Sequence, residues 1–178
     1  MNLFRFEVYG SGPDAAPIYA SLVEALAKLY CHAFPTAEEL SARQMLWREF
    51  AGGDRYILAF SDHQLVGFVS WRMRGGPTHQ SAELYHIGRD LQNLRSRGIG
   101  RRLIMEMEKD LQRVYRKAGL PGVRKVCIYT HDSNAAAHAL YQRAGYGHET
   151  TLKNLLHDGV DEYIFTKEWP EHVVPKPP

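Results

Sequence analysis

The densest chemistry in the chain lies in Leu94-Arg95-Ser96-Arg97-Gly98-Ile99-Gly100-Arg101-Arg102-Leu103. Two glycines spaced Gly-x-Gly lead without a breaker into a long amphipathic stretch. Glycine lets backbone come close to a ligand because no Cβ stands in the way. The first amides of a helix have no intrahelical acceptor and carry partial positive charge. Together these make an anion site built from backbone, most naturally a phosphate site. Arg95, Arg97, Arg101 and Arg102 add guanidinium groups, which match phosphate geometry in a bidentate way. A tight turn before a helix, or a solvated run of arginines, has the same look, so both readings stay open on this turn alone.

The elements that must hold this turn follow from periodicity. Leu3 to Tyr9 alternates and is rich in Phe, Val and Tyr, as in a strand. Ile18, Leu22, Leu26, Leu29 and Ala33 recur at helical spacing, with a start near Asp14 to Pro17. Thr36-Ala37-Glu38-Glu39 has the capping-box pattern and predicts a second helix to about Phe50. Arg55 to Ser61 and Leu65 to Arg74 predict an antiparallel hairpin. Glu83 to about Leu91 is the strand that feeds the glycine turn. The next helix carries Leu103, Ile104, Met107, Leu111, Val114, Tyr115 and Ala118 on one face. Val123 to Thr130 is an apolar run that suits a buried strand parallel to the previous one. Asp132-Ser133-Asn134 caps a short helix to Ala144. His148 to Leu156 and Glu162 to Lys167 close the order around an Asp158-Gly159 turn. The order βααβββ, then αβα, then ββ predicts an α/β (α+β) fold with a mixed sheet. Residues 1–169 read as a single domain and 170–178 as a loose, proline-rich tail.

Size and charge narrow the function. The chain has 178 residues and a net charge of +2, too small by itself to imply nucleic-acid binding. The basic excess is local to the glycine turn, which favours a small anionic ligand. Cys31 and Cys127 sit in apolar runs and read as reduced thiols of a cytoplasmic protein. No apolar run reaches membrane-spanning length, and Met1 to Phe6 lacks the apolar core of a signal peptide. The best metal candidate, His131, Asp132 and His138, is poor, so no metal is expected.

A second segment changes the weight of the first. Strand Lys125 to Thr130 leads into Asn134-Ala135-Ala136-Ala137-His138-Ala139-Leu140-Tyr141-Gln142-Arg143-Ala144-Gly145-Tyr146. Placed after the Arg-x-x-Gly-x-Gly turn, it resembles the Asn-x-x-Ala-x-x-Leu-Tyr-x-x-x-Gly-Phe helix of the GCN5-related N-acetyltransferase (GNAT) superfamily, with Tyr146 in the Phe position. The Arg95 to Gly100 turn resembles that family's pyrophosphate-binding motif. The sharp match covers about Glu83 to Lys167, and the first third fits by element order only.

The resemblance implies two splayed parallel strands with the pantetheine arm of acetyl-CoA between them, and direct transfer to an amine in a ternary complex. It implies Leu91, Arg95, Ser96, Arg97, Gly98, Ile99, Gly100, Arg101, Arg102, Asn134 and Tyr141 as cofactor contacts. Tyr141 is implied as proton donor to the departing thiolate, and Glu83 as base, with His86 as the other candidate. Asn134 also reads as a plain helix cap. The chain departs from the family at Arg89 to Leu94, where a Val-x-Pro-like segment is usual, so Asp90 is expected to turn from the phosphates or pair with Arg89. The acceptor is an amine-bearing small molecule or peptide, with Tyr30, Trp47 and Trp71 as aromatic candidates near it. No nucleic acid or membrane partner is expected, and a homodimer is open. A different class of function, a catalytically silent acyl-CoA sensor or partner-binding module, fits the same motifs.

Overall fold

Leu22, Val23, Leu26, Ala27 and Leu29 recur at helical spacing and form the buried side of α1 (Ala20–Ala33). They pack with Ala42, Leu46 and Phe50 of α2 (Glu39–Ala51) and with Tyr56, Leu58 and Phe68 of the sheet in one apolar core. The structure, a computed structural model, describes residues 4–12, 14–93, 96 and 98–172. The strands are β1 (Arg5–Gly10), β2 (Arg55–Ser61), β3 (Gln64–Arg74), β4 (Ser81–Arg89), β5 (Lys125–His131), β6 (Gly147–His157) and β7 (Val160–Glu168). Two further helices, α3 (Ile99–Lys117) and α4 (Ala135–Arg143), flank β5 in the chain. The sheet order is β1-β2-β3-β4-β5-β7-β6. β4 and β5 run parallel, while β1–β2, β2–β3, β5–β7 and β6–β7 are antiparallel.

The described residues divide into two compact units: those up to Arg72 with His86–Met107, and Met73–Tyr85 with those from Glu108 on. β4 and α3 each contribute to both. In the first unit the apolar core lies between the α1–α2 pair and β1–β3. In the second, Val126 and Ile128 of β5 and Phe165 of β7 are buried, as are Leu111 and Tyr115 of α3. Tyr115 donates its hydroxyl to the carbonyl of Ser81 at 2.8 Å, and burial pushes its phenol up to about 12. The last turn of α3 closes with the amide of Leu120 bonded back to Tyr115 at 3.0 Å and Gly119 left-handed at φ +80°.

Several boundaries differ from expectation. α1 begins at Ala20 rather than near Asp14, because Ala16 is drawn back to β1. Its amide donates to Val8 at 2.8 Å, and its carbonyl accepts from Gly10 at 3.4 Å. The capping box at Thr36 does not form. Ala37 instead closes a turn onto Phe34 at 2.9 Å, and α2 starts after Glu38 with no side-chain cap. β4 ends at Arg89 rather than Leu91, since the Asp90 carboxylate accepts the amide of Gln92 at 3.0 Å and turns the chain. Pro170–His172 is not loose but a short 3-10 turn. Gln80 holds it through the His172 carbonyl at 2.6 Å, and the His172 ring bonds the Val123 carbonyl at 2.9 Å. Residues 173–178 lie outside the described residues. Trp71 is core rather than an acceptor-pocket residue, with β2–β3 neighbours around it.

One close approach gives a stability test. A Cβ on Gly88 of β4 would stand 2.7 Å from the Ala33 side chain and 2.7 Å from the Phe68 ring. Overpacking of this kind costs about 1–3 kcal/mol. Gly88→Ala is therefore expected to lower Tm by roughly 2–10 °C in calorimetry, and an unchanged Tm would show that α1 slides without cost.

Candidate active site

Gly98 precedes α3 at φ +76°, a left-handed conformation, and a Cβ added there would meet nothing within 4 Å. The approach to the start of α3 is thus bare backbone on that side. Ile99 is fully buried, and its side chain anchors the turn. Gly100 and the exposed Arg101 follow in the first helical turn. Two side chains expected at the cofactor, those of Ser96 and Arg102, have partners within the protein. Ser96 is buried, and its hydroxyl binds inward, against the carbonyls of Asp90 and Asn93 (2.7 Å for Asn93) and Arg89 Nη1 at 2.9 Å. Its side chain ties the loop. Arg102 lays its guanidinium over the rings of Phe4 and Phe6, at 5.1 and 5.3 Å. Leu91 is an exposed apolar residue. Arg95 and Arg97 lie outside the described residues. Asp90 turns its carboxylate to His32 at 3.4 Å rather than to the Arg89 guanidinium.

The second unit holds the other half of the expected constellation. The β4–β5 ladder pairs Ser81 with Lys125, Ala82 with Val126, Glu83 with Cys127 and Leu84 with Ile128, and there it stops. Both strands run on, β4 to Arg89 and β5 to His131. β5 stays paired with β7 along its whole length, from Lys125↔Glu168 to His131↔Glu162.

In-register residues of neighbouring strands point to the same side of a sheet. Glu83, Cys127 and Thr166 therefore share one side, and Leu84, Ile128 and Phe165 the other. Glu83 is only 4% exposed and is ion-paired with the half-exposed Arg74. It is a buried mid-strand acid, not a solvated strand end. Cys127 beside it is a half-buried free thiol. Burial pushes that thiol up, Lys125 opposes the rise, and nearby Glu149 and Glu83 add to it. It therefore stays protonated and is a poor nucleophile.

Tyr141 lies on the opposite side, with its ring 5.7 Å from Phe165. It is 5% exposed, and burial pushes its phenol well above the usual tyrosine range. Asn134 caps α4 by accepting the amide of Ala137 at 3.2 Å. Tyr146 is buried too, with Lys167 above its ring at 5.6 Å. Among the described residues no group of three or more His, Cys, Asp or Glu could hold a metal. His138 bonds the His131 carbonyl at 2.9 Å and stacks on Tyr163.

One cluster in the first unit escaped the sequence. Glu49 of α2 is 8% exposed, accepts from the Tyr56 hydroxyl and lies 3.0 Å from His86 Nε2. Arg72 stands 4.0 Å from Glu49 and binds Asp54, and the His86 amide donates to Ser70 Oγ at 3.1 Å. Burial pushes the Asp54 carboxyl up against the opposing pull of Arg72. These residues come from α2, β2, β3, β4 and the loop before β2, so no local spacing announces them. Only His86 was singled out from sequence.

The sequence profile of the acetyltransferase (GNAT) family matches residues 21–146. Comparison with curated proteins finds no match. Solved structures with the same fold include an aminoglycoside 6'-acetyltransferase type Ii, with TM-score 0.68 and 20% identity over 88% of this chain and 93% of that one. A ribosomal-protein-alanine N-acetyltransferase from Brucella melitensis superposes with TM-score 0.65 and 20% identity, covering 91% and 99%. The PaiA N-acetyltransferase from Thermoplasma acidophilum, solved with coenzyme A, gives TM-score 0.62 and 17% identity over 93% and 99%. At such identities these structures attest the fold, and the family follows from the profile. With its mixed sheet, its glycine turn ahead of α3 and a family match over 126 residues (21 to 146), the chain belongs to the GNAT acetyltransferase family.

Proposed function

We propose that this chain is an acetyl-CoA-dependent N-acetyltransferase that moves the acetyl group directly to an amine in a ternary complex. The observation that carries this is the end of the parallel ladder at Leu84↔Ile128 while both strands continue. β5 spends one edge on β7, and its pairing with β4 ends at Ile128, so the backbone of Tyr129 and Thr130 on the other edge can serve a ligand. A pantetheine arm has amides that can pair with such an edge as an added strand would. The diphosphate is assigned to the amides at the start of α3, reached past Gly98, with Arg101 and the motif arginines Arg95 and Arg97 around it. Bound in this way, acetyl-CoA supplies an acyl carbon on a thiolate leaving group.

The chain's own residues then divide the proton work. Tyr141 holds its proton at neutral pH because burial disfavours the phenolate. It gives that proton to the sulfur as the carbon–sulfur bond breaks. Glu83 and Tyr141 stand on opposite sides of the sheet, which suits an acceptor entering from the Glu83 side and a thiol leaving on the Tyr141 side. A backbone N–H of β4 past the ladder is assigned to the carbonyl oxygen as it gains negative charge. The acceptor nitrogen must lose a proton to attack, and Glu83 and His86 are the candidate bases on β4. Cys127, held as a thiol, takes no acyl group. The acceptor is an amine on a small molecule or a peptide, the classes that the two named relatives, one for an aminoglycoside and one for a ribosomal-protein alanine, exemplify.

Two tests follow. Tyr141→Phe is expected to lower kcat roughly a hundredfold in a free-thiol assay with an amine panel, with CoA affinity kept. Equal rates in variant and parent would remove Tyr141 from the mechanism. Tight CoA binding with no turnover by the parent on any amine would favour the sensor reading.

Calorimetric titration with CoA checks the cradle. Gly98→Ala puts a methyl on the open approach, in a strained conformation, and is expected to weaken binding about tenfold, or ~1.4 kcal/mol. Arg102→Ala is expected to leave affinity within about twofold, while losing roughly 0.5–1 kcal/mol of stability with its cation–π contacts. A tenfold affinity loss in Arg102→Ala would mean that the guanidinium leaves Phe4 and Phe6 for the ligand.

A further inference from the structure

The strongest unexplained feature is the polar cluster around Glu49. Charged groups are costly to bury, about several kcal/mol per ion after relaxation. Here two carboxylates, a guanidinium and an imidazole are gathered, with Glu49 8% exposed and Asp54 6% exposed. The charges are arranged rather than scattered. Arg72 is bound to Asp54, which satisfies that carboxylate and leaves Glu49 at the longer 4.0 Å. Glu49 is met by two donors, the Tyr56 hydroxyl on Oε2 and His86 Nε2 at 3.0 Å on Oε1. An ionised carboxylate only accepts, so His86 presents Nε2–H to it, and the ring's lone pair is on Nδ1.

The ring is fixed on its flanks as well. Tyr30 meets it edge-on at 5.3 Å and Phe34 at 6.3 Å. The His86 amide is held by Ser70 Oγ at 3.1 Å. The side chain still keeps 15% of its surface exposed, against 7% for Glu49. His86 also sits on the stretch of β4 beyond the last pair with β5. Glu83, the other candidate base, has its carboxylate engaged by Arg74.

We propose that His86 is the base that deprotonates the acceptor amine and that Glu49 is its positioning residue. This rests on the N-acetyltransferase reading above. The proton leaves the ammonium nitrogen of the acceptor for Nδ1 of His86, giving an imidazolium whose positive charge faces the Glu49 carboxylate. The freed nitrogen lone pair then attacks the thioester carbon, the carbon–sulfur bond breaks as the thiolate takes the Tyr141 proton, and the second nitrogen proton of the adduct leaves through water to restore the Tyr141 phenol. The imidazolium returns its proton to water. The cluster's remaining groups have supporting parts. Tyr56 donates to Glu49, Arg72 stands 4.0 Å from it and engages Asp54, and Tyr30 and Phe34 flank the ring.

The test uses the full chain and two readouts. The first is independent of any acceptor: the ring ¹⁵N shifts of His86 in the resting protein. The Nε2–H tautomer is expected, with loss of that preference in Glu49→Gln. An Nδ1–H tautomer in the parent would overturn the arrangement. The second is the pH dependence of kcat/KM with acetyl-CoA and the best substrate from a panel of an aminoglycoside, an alanine-ended peptide and a polyamine. His86→Gln is expected to lose at least a hundredfold at pH 7 and to regain rate as pH rises, because solvent then supplies the neutral amine. Glu49→Gln is expected to lose ten- to thirtyfold in kcat with KM nearly unchanged, and its acid limb should move to lower pH because the imidazolium has lost its counter-charge. Parent-like rates and profiles in both variants, with CoA affinity intact, would overturn the proposal. If Glu83→Gln alone abolished the acid limb, the base would be Glu83. A parent that turns over no amine would defeat the broader reading, while the tautomer measurement would still decide whether Glu49 orients His86.

Discussion

Backbone satisfaction is the constraint on which the rest depends. A strand in a sheet interior bonds on both edges, and a buried amide or carbonyl left without a partner costs about 1–3 kcal/mol. β5 obeys this on its β7 side for all seven residues and on its β4 side for four. The parting is therefore confined to one edge. β5 stays paired with β7 past the point where β4 leaves it. An extended molecule with alternating donors and acceptors is the partner such an edge selects.

Burial then decides what the nearby side chains can do. The same desolvation acts on Tyr141 and Cys127 and pushes both upward, yet the outcomes differ. For the phenol, it keeps the proton on the oxygen at neutral pH and makes the group a weaker acid. For the thiol, it withholds the thiolate that an acyl-enzyme would need. Both groups therefore keep their protons at neutral pH, and Cys127 is the poorer nucleophile for it. Glu83 adds to this, because its carboxylate beside Cys127 further disfavours a second negative charge there.

The fold was legible because its signals are local. The apolar stripes of α1 and α3, the hairpin turn at Asp62 and His63, and the Asp158-Gly159 turn each depend on residues close in sequence, and each element formed, although α1 starts later than its stripe. The motif helix was legible for the same reason, down to Asn134 capping α4. Misses arose where distant residues decided the outcome. Thr36 lost its cap to a turn closed by Phe34, and Asp14 lost its helix start to the pairing of Ala16 with β1. Within the glycine turn, residue type gave no hint that Ser96 bonds inward or that Arg102 lies on Phe4 and Phe6. An arginine's partner depends on which rings the fold brings near it, and β1 is more than ninety residues upstream.

The Glu49 cluster is the limiting case of this blindness and also the most informative region. Five elements or connections deliver its members, so it has no signature of spacing. Stability does not explain it: apolar replacements of similar volume often hold a core at least as well as buried ion pairs. α1, α2 and β2–β3 already supply an aromatic and aliphatic core in Leu26, Leu46, Leu58 and Phe68, all fully buried. Against that background, ionisable groups enclosed beside a histidine agree with the proposed proton-handling role better than with cohesion. The asymmetry within the cluster points the same way. Arg72 lies closer to Asp54 than to Glu49, whose carboxylate accepts from the phenol and stands 3.0 Å from the imidazole, the arrangement that the proposed proton transfer would use.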